Sequence, residues 1–93
     1  MIISFKDKET EKIWNQEYSK KLPLEIQRIG LRKLIIINRA KDLNDLKVPP
    51  GNKMEKLEGN RKGQHSIRIN DQWRICFYWE HGTDSSVEIT DYH

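Results

Sequence analysis

Two runs of alternating apolar and polar residues, joined by a tight turn, most constrain what this chain can fold into. The first run covers residues 64–70 and the second covers residues 73–79, with the turn at residues 70–72. Alternation with a period of two is typical of β-strands, and so short a connection makes the two strands antiparallel neighbours. A third run contains Val87 and Ile89, so the sequence predicts a three-stranded antiparallel meander.

Two helices are predicted before the meander. Asp7 is suited to cap the start of a helix that continues through Tyr18. Pro23 stands where a second helix begins, and residues 24–40 are apolar on several sides, which predicts the main core helix. With residues 2–5 as a short opening strand, the predicted order is β-α-α-β-β-β. This is an α+β fold with two helices packed on one face of an antiparallel sheet.

Length and cysteine content predict one small domain without a disulfide. The chain has 93 residues, enough for one hydrophobic core, so residues 1–93 form a single domain. Cys76 is the only cysteine, which excludes an intrachain disulfide and a Cys-based metal site. The longest aliphatic run, residues 34–37, is far shorter than the roughly 20 residues of a membrane span, and the first residues lack a signal-peptide pattern. We therefore expect a cytoplasmic protein with no membrane partner.

The charge is unevenly distributed along the chain. The formal net charge is only +3, but residues 20–52 carry +5 and residues 53–74 carry +3, whereas residues 75–93 carry −4. A surface formed by the cationic middle of the chain is a candidate site for a phosphate backbone. The alternative is an ordinary solvated surface of a basic domain.

The alternation also gives the meander a polar face, turned away from the helices. That face carries Arg68, Arg74 and Tyr78, which together can hold a phosphate and stack on a base. The alternative is that the arginines pair across strands with Glu80 and Glu88 and serve only solubility.

Several other conspicuous residues have a structural interpretation. His65 alternates with the apolar residues of its strand, which favours a packed, hydrogen-bonded histidine at the edge of the core over a second titratable group beside the cationic loop. Trp14, Trp73 and Trp79 are expected in the core, and Cys76 is expected to fill space. The histidines lack metal-ligand spacing, so no metal site and no cofactor are predicted.

The sequence GNRKGQHSIRINDQWRICF at residues 59–77, together with the terminal residues 91–93, resembles the HigB branch of the RelE/ParE toxin superfamily. Members of this branch are also called plasmid-maintenance killer proteins. The loop at residues 49–52 and the predicted order of elements match as well, so the resemblance covers nearly the whole chain. It implies the small RelE-like fold and a toxin of a type II toxin–antitoxin system.

The resemblance further implies an endoribonuclease that cuts messenger RNA in the ribosomal A site. The ribose 2′-OH attacks the adjacent phosphate without a metal ion, which leaves a 2′,3′-cyclic phosphate and a free 5′-OH. The implied partners are the ribosome, mRNA and a HigA-like helix-turn-helix antitoxin. Operator DNA is a partner only indirectly, through that antitoxin.

The residues implied as catalytic lie in the strands and at the C-terminal end: Arg68, Arg74, Asp91, Tyr92 and His93. A guanidinium can engage two phosphate oxygens at once. His93 is an acid or base, Asp91 orients it or acts as base, and Tyr92 stacks on a base or donates a proton. The residues expected to bind RNA are Lys53, Lys56, Arg61, Lys62 and Tyr78.

One departure from the family pattern concerns proton transfer. Some HigB proteins have a His and a Lys where this chain has Glu55 and Glu58. Three routes for the proton follow: His93 and Asp91 transfer it, Glu55 or Glu58 substitutes, or catalysis rests largely on charge stabilisation.

Two other functions are compatible with the same fold. A ParE-like poison of DNA gyrase would need neither the basic face nor a terminal histidine. A non-catalytic nucleic-acid-binding module would use the basic face without proton transfer.

Overall fold

The computed structural model describes residues 1–91 and contains one four-stranded antiparallel sheet. Its strands are β1 (Glu55–Lys56), β2 (Gln64–Arg68), β3 (Arg74–Glu80) and β4 (Thr83–Thr90), which are neighbours in that order. The predicted meander corresponds to β2, β3 and β4. The sequence did not predict β1, because two exposed residues are too few for an alternation to be visible.

Cross-strand register decides which side chains face the core. Ile67 of β2 lies opposite Ile75 of β3, and His65 lies opposite Phe77. The two isoleucines and Phe77 are fully buried. Because successive side chains of a strand point to opposite faces, the intervening residues point away from the core.

The two predicted helices are present, with one changed end. Helix α1 spans Lys8–Trp14, and the Asp7 side chain accepts a hydrogen bond from the Thr10 backbone N–H at 2.7 Å, as expected of an N-cap. The helix stops before Tyr18 because Gln16 adopts the left-handed region at φ 62°. Helix α2 spans Leu24–Arg39, as predicted.

Both helices pack on one face of the sheet. Residues of α1 and α2, including Ile13, Leu34 and Ile37, form a single buried cluster with the apolar residues of the strands. Gly30 lets α2 approach closely, since a Cβ at that position would lie 3.4 Å from Ile89 Cδ1. The three tryptophans pack against this cluster, in agreement with their predicted core role.

The predicted opening strand is reduced to two isolated parallel bridges to β4, Ile2 with Asp84 and Phe5 with Val87. Asp84 is fully buried, and its Oδ2 lies 3.2 Å from the amino group of Met1. Burial raises the pKa of Asp84 to about 6, although the amino group acts in the opposite direction.

Three short 3₁₀ helices connect α2 to β2: Leu43–Lys47, Pro50–Asn52 and Gly59–Arg61. The first places Leu46 in the core, where it is fully buried. No helix within residues 1–91 is long and apolar enough to cross a membrane.

Candidate functional site

The face of the sheet that is turned away from the helices carries most of the predicted site residues. Cross-strand pairs on this face are Arg68 with Arg74, Ser66 with Cys76 and Gln64 with Tyr78. Glu55 lies opposite Ser66, Glu88 lies opposite Cys76, and Thr90 lies opposite Arg74. We call these nine residues the open face. The predicted orientation of Arg68, Arg74 and Tyr78 away from the helices is therefore confirmed.

The guanidinium of Arg74 is held mainly by neutral oxygens. Its Nε donates to Ser66 Oγ at 2.8 Å, and its Nη2 donates to the Lys53 carbonyl oxygen at 2.6 Å and to the Ser66 carbonyl oxygen at 3.4 Å. Only 14% of its side chain is exposed. The anchored edge fixes the orientation of the guanidinium without neutralising its charge.

Among residues 1–91, the carboxylate that pairs with Arg74 belongs to Glu55. Glu55 Oε1 lies 3.9 Å from Arg74 Nη1, at the edge of the guanidinium that the neutral oxygens do not occupy. The Glu55 side chain is 56% exposed, so solvent weakens its attraction to Arg74. A carboxylate and an oriented cation thus lie side by side at a solvent-accessible position.

Arg68 has a looser environment than Arg74. Its Nη2 lies 2.5 Å from Asp71 Oδ1, in the turn between β2 and β3. The Asp71 side chain is completely exposed, so an anionic ligand can replace it at little cost. Arg68 is therefore available to a phosphate held beside Arg74.

Arg61 lies at the other end of the open face and forms an ion pair with Glu88. Its Nη1 donates to Gln64 Oε1 at 3.1 Å and to Glu88 Oε1 at 3.0 Å. Lys6 Nζ also approaches Glu88 Oε1, at 3.8 Å. The Glu88 side chain is only 15% exposed, so this ion pair is screened less by solvent than that of Arg68.

Tyr78 and Lys62 form the accessible part of this end. Tyr78 is exposed, and a Cβ at Gly63 would lie 3.4 Å from its ring. Gly63 has φ 94°, a conformation that favours glycine, so it brings the backbone beside the ring without a side chain in the way. Lys62 is exposed in the same loop.

The remaining predicted site residues do not lie together on the open face. Lys53 contributes its backbone carbonyl to Arg74, while Lys56 is paired with His65 in register and so lies on the opposite face from Arg74. Asp91 follows β4 at the end of the sheet where Thr90 lies opposite Arg74, and its Oδ2 accepts a hydrogen bond from Gln72 Nε2 at 2.8 Å. The predicted catalytic residues Tyr92 and His93 lie outside the described residues.

Two titratable groups in the sheet have shifted pKa values. Burial and the charge of Lys56 lower the pKa of His65, which is half-buried beside the Phe77 ring. Its Nδ1 is buried without a hydrogen-bond partner among the described residues, so the packed interpretation holds while the expected hydrogen bond to this atom is not found there. Burial raises the pKa of Cys76 to about 11, as suits a space-filling thiol. Within residues 1–91, no three His, Cys, Asp or Glu side chains form a group that could hold a metal ion.

Sequence reasoning missed the anchors of Arg74. Ser66 is not among the predicted site residues, although it lies two residues before Arg68 and therefore on the same face. The role of the Lys53 carbonyl could not be predicted from the sequence, because every residue has a backbone carbonyl oxygen.

Comparison with known proteins places this chain in one family. Residues 3–93 match the family model of the RelE-like toxin of the type II toxin–antitoxin system HigB. Toxin HigB-1 of Vibrio cholerae is 43% identical over 83 residues, which cover 88% of this chain and 87% of that protein. Endoribonuclease HigB of Proteus vulgaris is 31% identical over 94 aligned residues, which cover both chains completely.

Solved structures support the same fold. The YoeB–YefM toxin–antitoxin complex from Staphylococcus aureus contains a chain that superposes with a TM-score of 0.61 at 23% identity, covering 100% of this chain and 95% of that one. The resemblance inferred from residues 59–77 and 91–93 is thus confirmed by the family match. The chain belongs to the HigB family of RelE-like toxins from type II toxin–antitoxin systems.

Proposed function

We propose that this toxin is a ribosome-dependent endoribonuclease that cleaves mRNA in the A site. The observation that carries the proposal is the pairing of an oriented, incompletely neutralised Arg74 with the exposed carboxylate of Glu55. An RNA phosphate needs a cation in a fixed position, and the 2′-OH beside it needs a proton acceptor. Both groups are present at one end of the open face.

The proposed reaction is an internal transfer at phosphorus. The ribose 2′-oxygen forms a bond to the adjacent phosphorus while the bond to the 5′-oxygen breaks. The 2′-OH proton passes to Glu55, and an acid protonates the departing 5′-oxygen. Arg74 and Arg68, which face each other across β2 and β3, stabilise the additional negative charge on the phosphorane.

The acid is proposed to come from the C-terminal group of Asp91, Tyr92 and His93. Asp91 follows the strand residue that lies opposite Arg74, which supports its placement near the scissile phosphate. Within this group His93 is the proposed donor, because histidine side chains exchange protons near neutral pH. With Glu55 as the base, the C-terminal group has the complementary task of supplying the proton.

The RNA on either side of the cut is proposed to contact the exposed basic and aromatic residues. Lys53 lies beside Arg74, while Lys62 and Tyr78 lie at the other end of the open face, where Tyr78 can stack on a base. Lys56 is exposed on edge strand β1 but on the opposite face from Arg74, so its proposed contact is with RNA that passes around this edge of the sheet. Arg61 is proposed to shape this surface through its pair with Glu88.

The proposed cellular setting follows from family membership. The toxin acts in the cytoplasm on translating ribosomes and is neutralised by a HigA-like antitoxin, through which it is linked to operator DNA. The YoeB–YefM complex supports this setting, because there a toxin with the same fold is bound by an antitoxin.

The decisive experiment compares purified toxin on programmed ribosomes and on the same mRNA without ribosomes. We expect cleavage within the A-site codon only on ribosomes, with 2′,3′-cyclic phosphate and 5′-OH ends identified by end-specific ligation. Rapid cleavage of free RNA would contradict ribosome dependence. DNA damage without mRNA cleavage in cells would favour a gyrase poison instead.

A further inference from the structure

Asn52 is a fully buried polar residue directly before Lys53, whose carbonyl anchors Arg74. Both ends of its amide are used. Asn52 Oδ1 accepts a hydrogen bond from Lys33 Nζ of α2, and Asn52 Nδ2 donates to the Leu46 carbonyl at 3.2 Å and to the Val48 carbonyl at 3.3 Å. A buried amide with satisfied donors and acceptors fixes the backbone around it more strictly than apolar packing does.

The backbone just after Asn52 turns sharply. Lys53 adopts the left-handed region at φ 43°, a conformation that is unfavourable for lysine and persists only when its surroundings impose it. This turn directs the Lys53 carbonyl oxygen toward Arg74 Nη2, 2.6 Å away. A continuous series of contacts thus runs from α2 through Asn52 to the guanidinium.

Lys33 differs from an ordinary solvated surface lysine in its burial and in its contacts. It is partly buried, and no carboxylate pairs with it among residues 1–91; its amino group donates to the Asn52 side chain. Burial and the neighbouring charges of Arg32 and Arg68 lower its pKa. A buried cation beside other cations costs free energy, so its retention calls for a compensating contact.

We propose that Lys33 and Asn52 are positioning residues for Arg74: they hold the Lys53 carbonyl where it accepts a hydrogen bond from the Arg74 guanidinium. The inference rests on the proposed function, because it assigns to these residues a part in RNA cleavage. Neither residue contacts RNA in this scheme. Their effect on the reaction is transmitted entirely through Arg74.

The test uses Lys33→Met, which keeps much of the length of the side chain and removes its donor. We expect the single-turnover cleavage rate on saturating ribosomes to fall about 10-fold with ribosome affinity unchanged, since a small displacement of an oriented group has effects of this order. Arg32→Met is the matched control, because it removes the same charge from an exposed neighbouring position and should change the rate less than about twofold. Lys33→Gln, whose amide still donates, should restore most of the rate.

Two readouts separate positioning from a general loss of stability. Lys33→Met should cause no further loss of rate when combined with Arg74→Lys, because the residue through which it acts is already changed. The Nε–H resonance of Arg74 in a ¹⁵N spectrum should shift in Lys33→Met and stay in place in Arg32→Met. Thermal unfolding shows whether Lys33→Met is still folded. If it is not, the test uses the cleavage rate of Lys33→Gln and the Arg74 resonance measured in that variant.

The outcomes distinguish this inference from the function on which it rests. If Arg74→Lys lowers the cleavage rate sharply while Lys33→Met cleaves at the full rate, or if the double variant loses activity additively, the positioning role is wrong and the proposed function stands. If Arg74→Lys itself cleaves normally, the proposed site is wrong.

Discussion

The open face and the loop beside it hold two largely buried arginines whose environments differ. Arg74 is anchored by the oxygens of Ser66 and Lys53, and the Glu55 carboxylate, its acidic neighbour within the described part of the chain, is 3.9 Å away and half exposed. Arg61 lies 3.0 Å from Glu88, which is 15% exposed and is also approached by Lys6. One guanidinium is oriented with its charge incompletely compensated, whereas the other is neutralised within the protein.

The difference shows that burial and residue type do not identify a phosphate-binding arginine. An arginine anchored by neutral oxygens keeps its attraction for an anion and has already lost its conformational freedom, so a bound phosphate meets a preorganised cation. An arginine paired with a buried carboxylate must break that pair before it can bind an anion. Arg74 is therefore the better candidate for the reaction and Arg61 for structural support.

The largest expected effect is that of Arg74→Lys, for which Arg61→Lys is the matched control. Lysine keeps the charge but cannot reproduce the anchored fork, so ribosome-dependent cleavage should fall about 1,000-fold. Arg61→Lys can still pair with Glu88 and should change the rate less than about threefold. If both variants lost the same fraction of the single-turnover cleavage rate, the two arginines would not differ in their contribution to the reaction.

The carboxylates beside the two arginines provide a second matched pair. Glu55→Gln removes the proposed proton acceptor, and the cleavage rate should fall about 100-fold with ribosome binding preserved, whereas Glu88→Gln should leave the chemical step unchanged. Single-turnover rates on saturating ribosomes measure both effects. A faster reaction in Glu55→Gln would identify Glu55 as a competitor for Arg74 and would transfer the role of base to Asp91 or His93.

Ser66→Ala tests the neutral anchor of Arg74. Loss of the acceptor for Nε loosens the guanidinium, and cleavage should fall about 10-fold, consistent with the contribution of one hydrogen bond to a charged group. Ser85→Ala on β4 serves as control and should cleave normally. Melting curves measured for both variants would separate this effect from a loss of fold.

The smallest effect is expected of Glu88→Gln, which removes the carboxylate 3.0 Å from Arg61. Binding to ribosomes should tighten about threefold at low salt and become more salt-dependent, since one negative charge is lost from the surface that is proposed to face RNA. Binding that is insensitive to this substitution across a salt titration would show that Arg61 does not face RNA at all.

Local patterns in the sequence were sufficient for the main features of the fold and for one part of the site. The alternation in residues 64–70 and 73–79 correctly placed Arg68, Arg74 and Tyr78 on one face, because the period of a strand determines the orientation of its side chains. The bounds of α2 followed from Pro23 and a long apolar pattern.

The contacts that distinguish the two arginines could not be predicted, since they join distant parts of the chain. Arg61 meets Glu88 across 27 residues, and Arg74 meets the Lys53 carbonyl across 21. Strand β1, which carries Glu55, is too short to produce a pattern. Such contacts depend on how the loops close against the sheet, which neither periodicity nor residue type specifies.

Cys76, one of the nine open-face residues, is completely buried, and burial raises its pKa to about 11. A thiol in this state is a poor nucleophile toward oxidants and disulfides. The folded toxin should therefore resist oxidation and cross-linking through this thiol without a reductant. The rate at which a thiol reagent labels Cys76 would also measure how often the sheet opens, because the thiol becomes accessible only when the residues around it move apart.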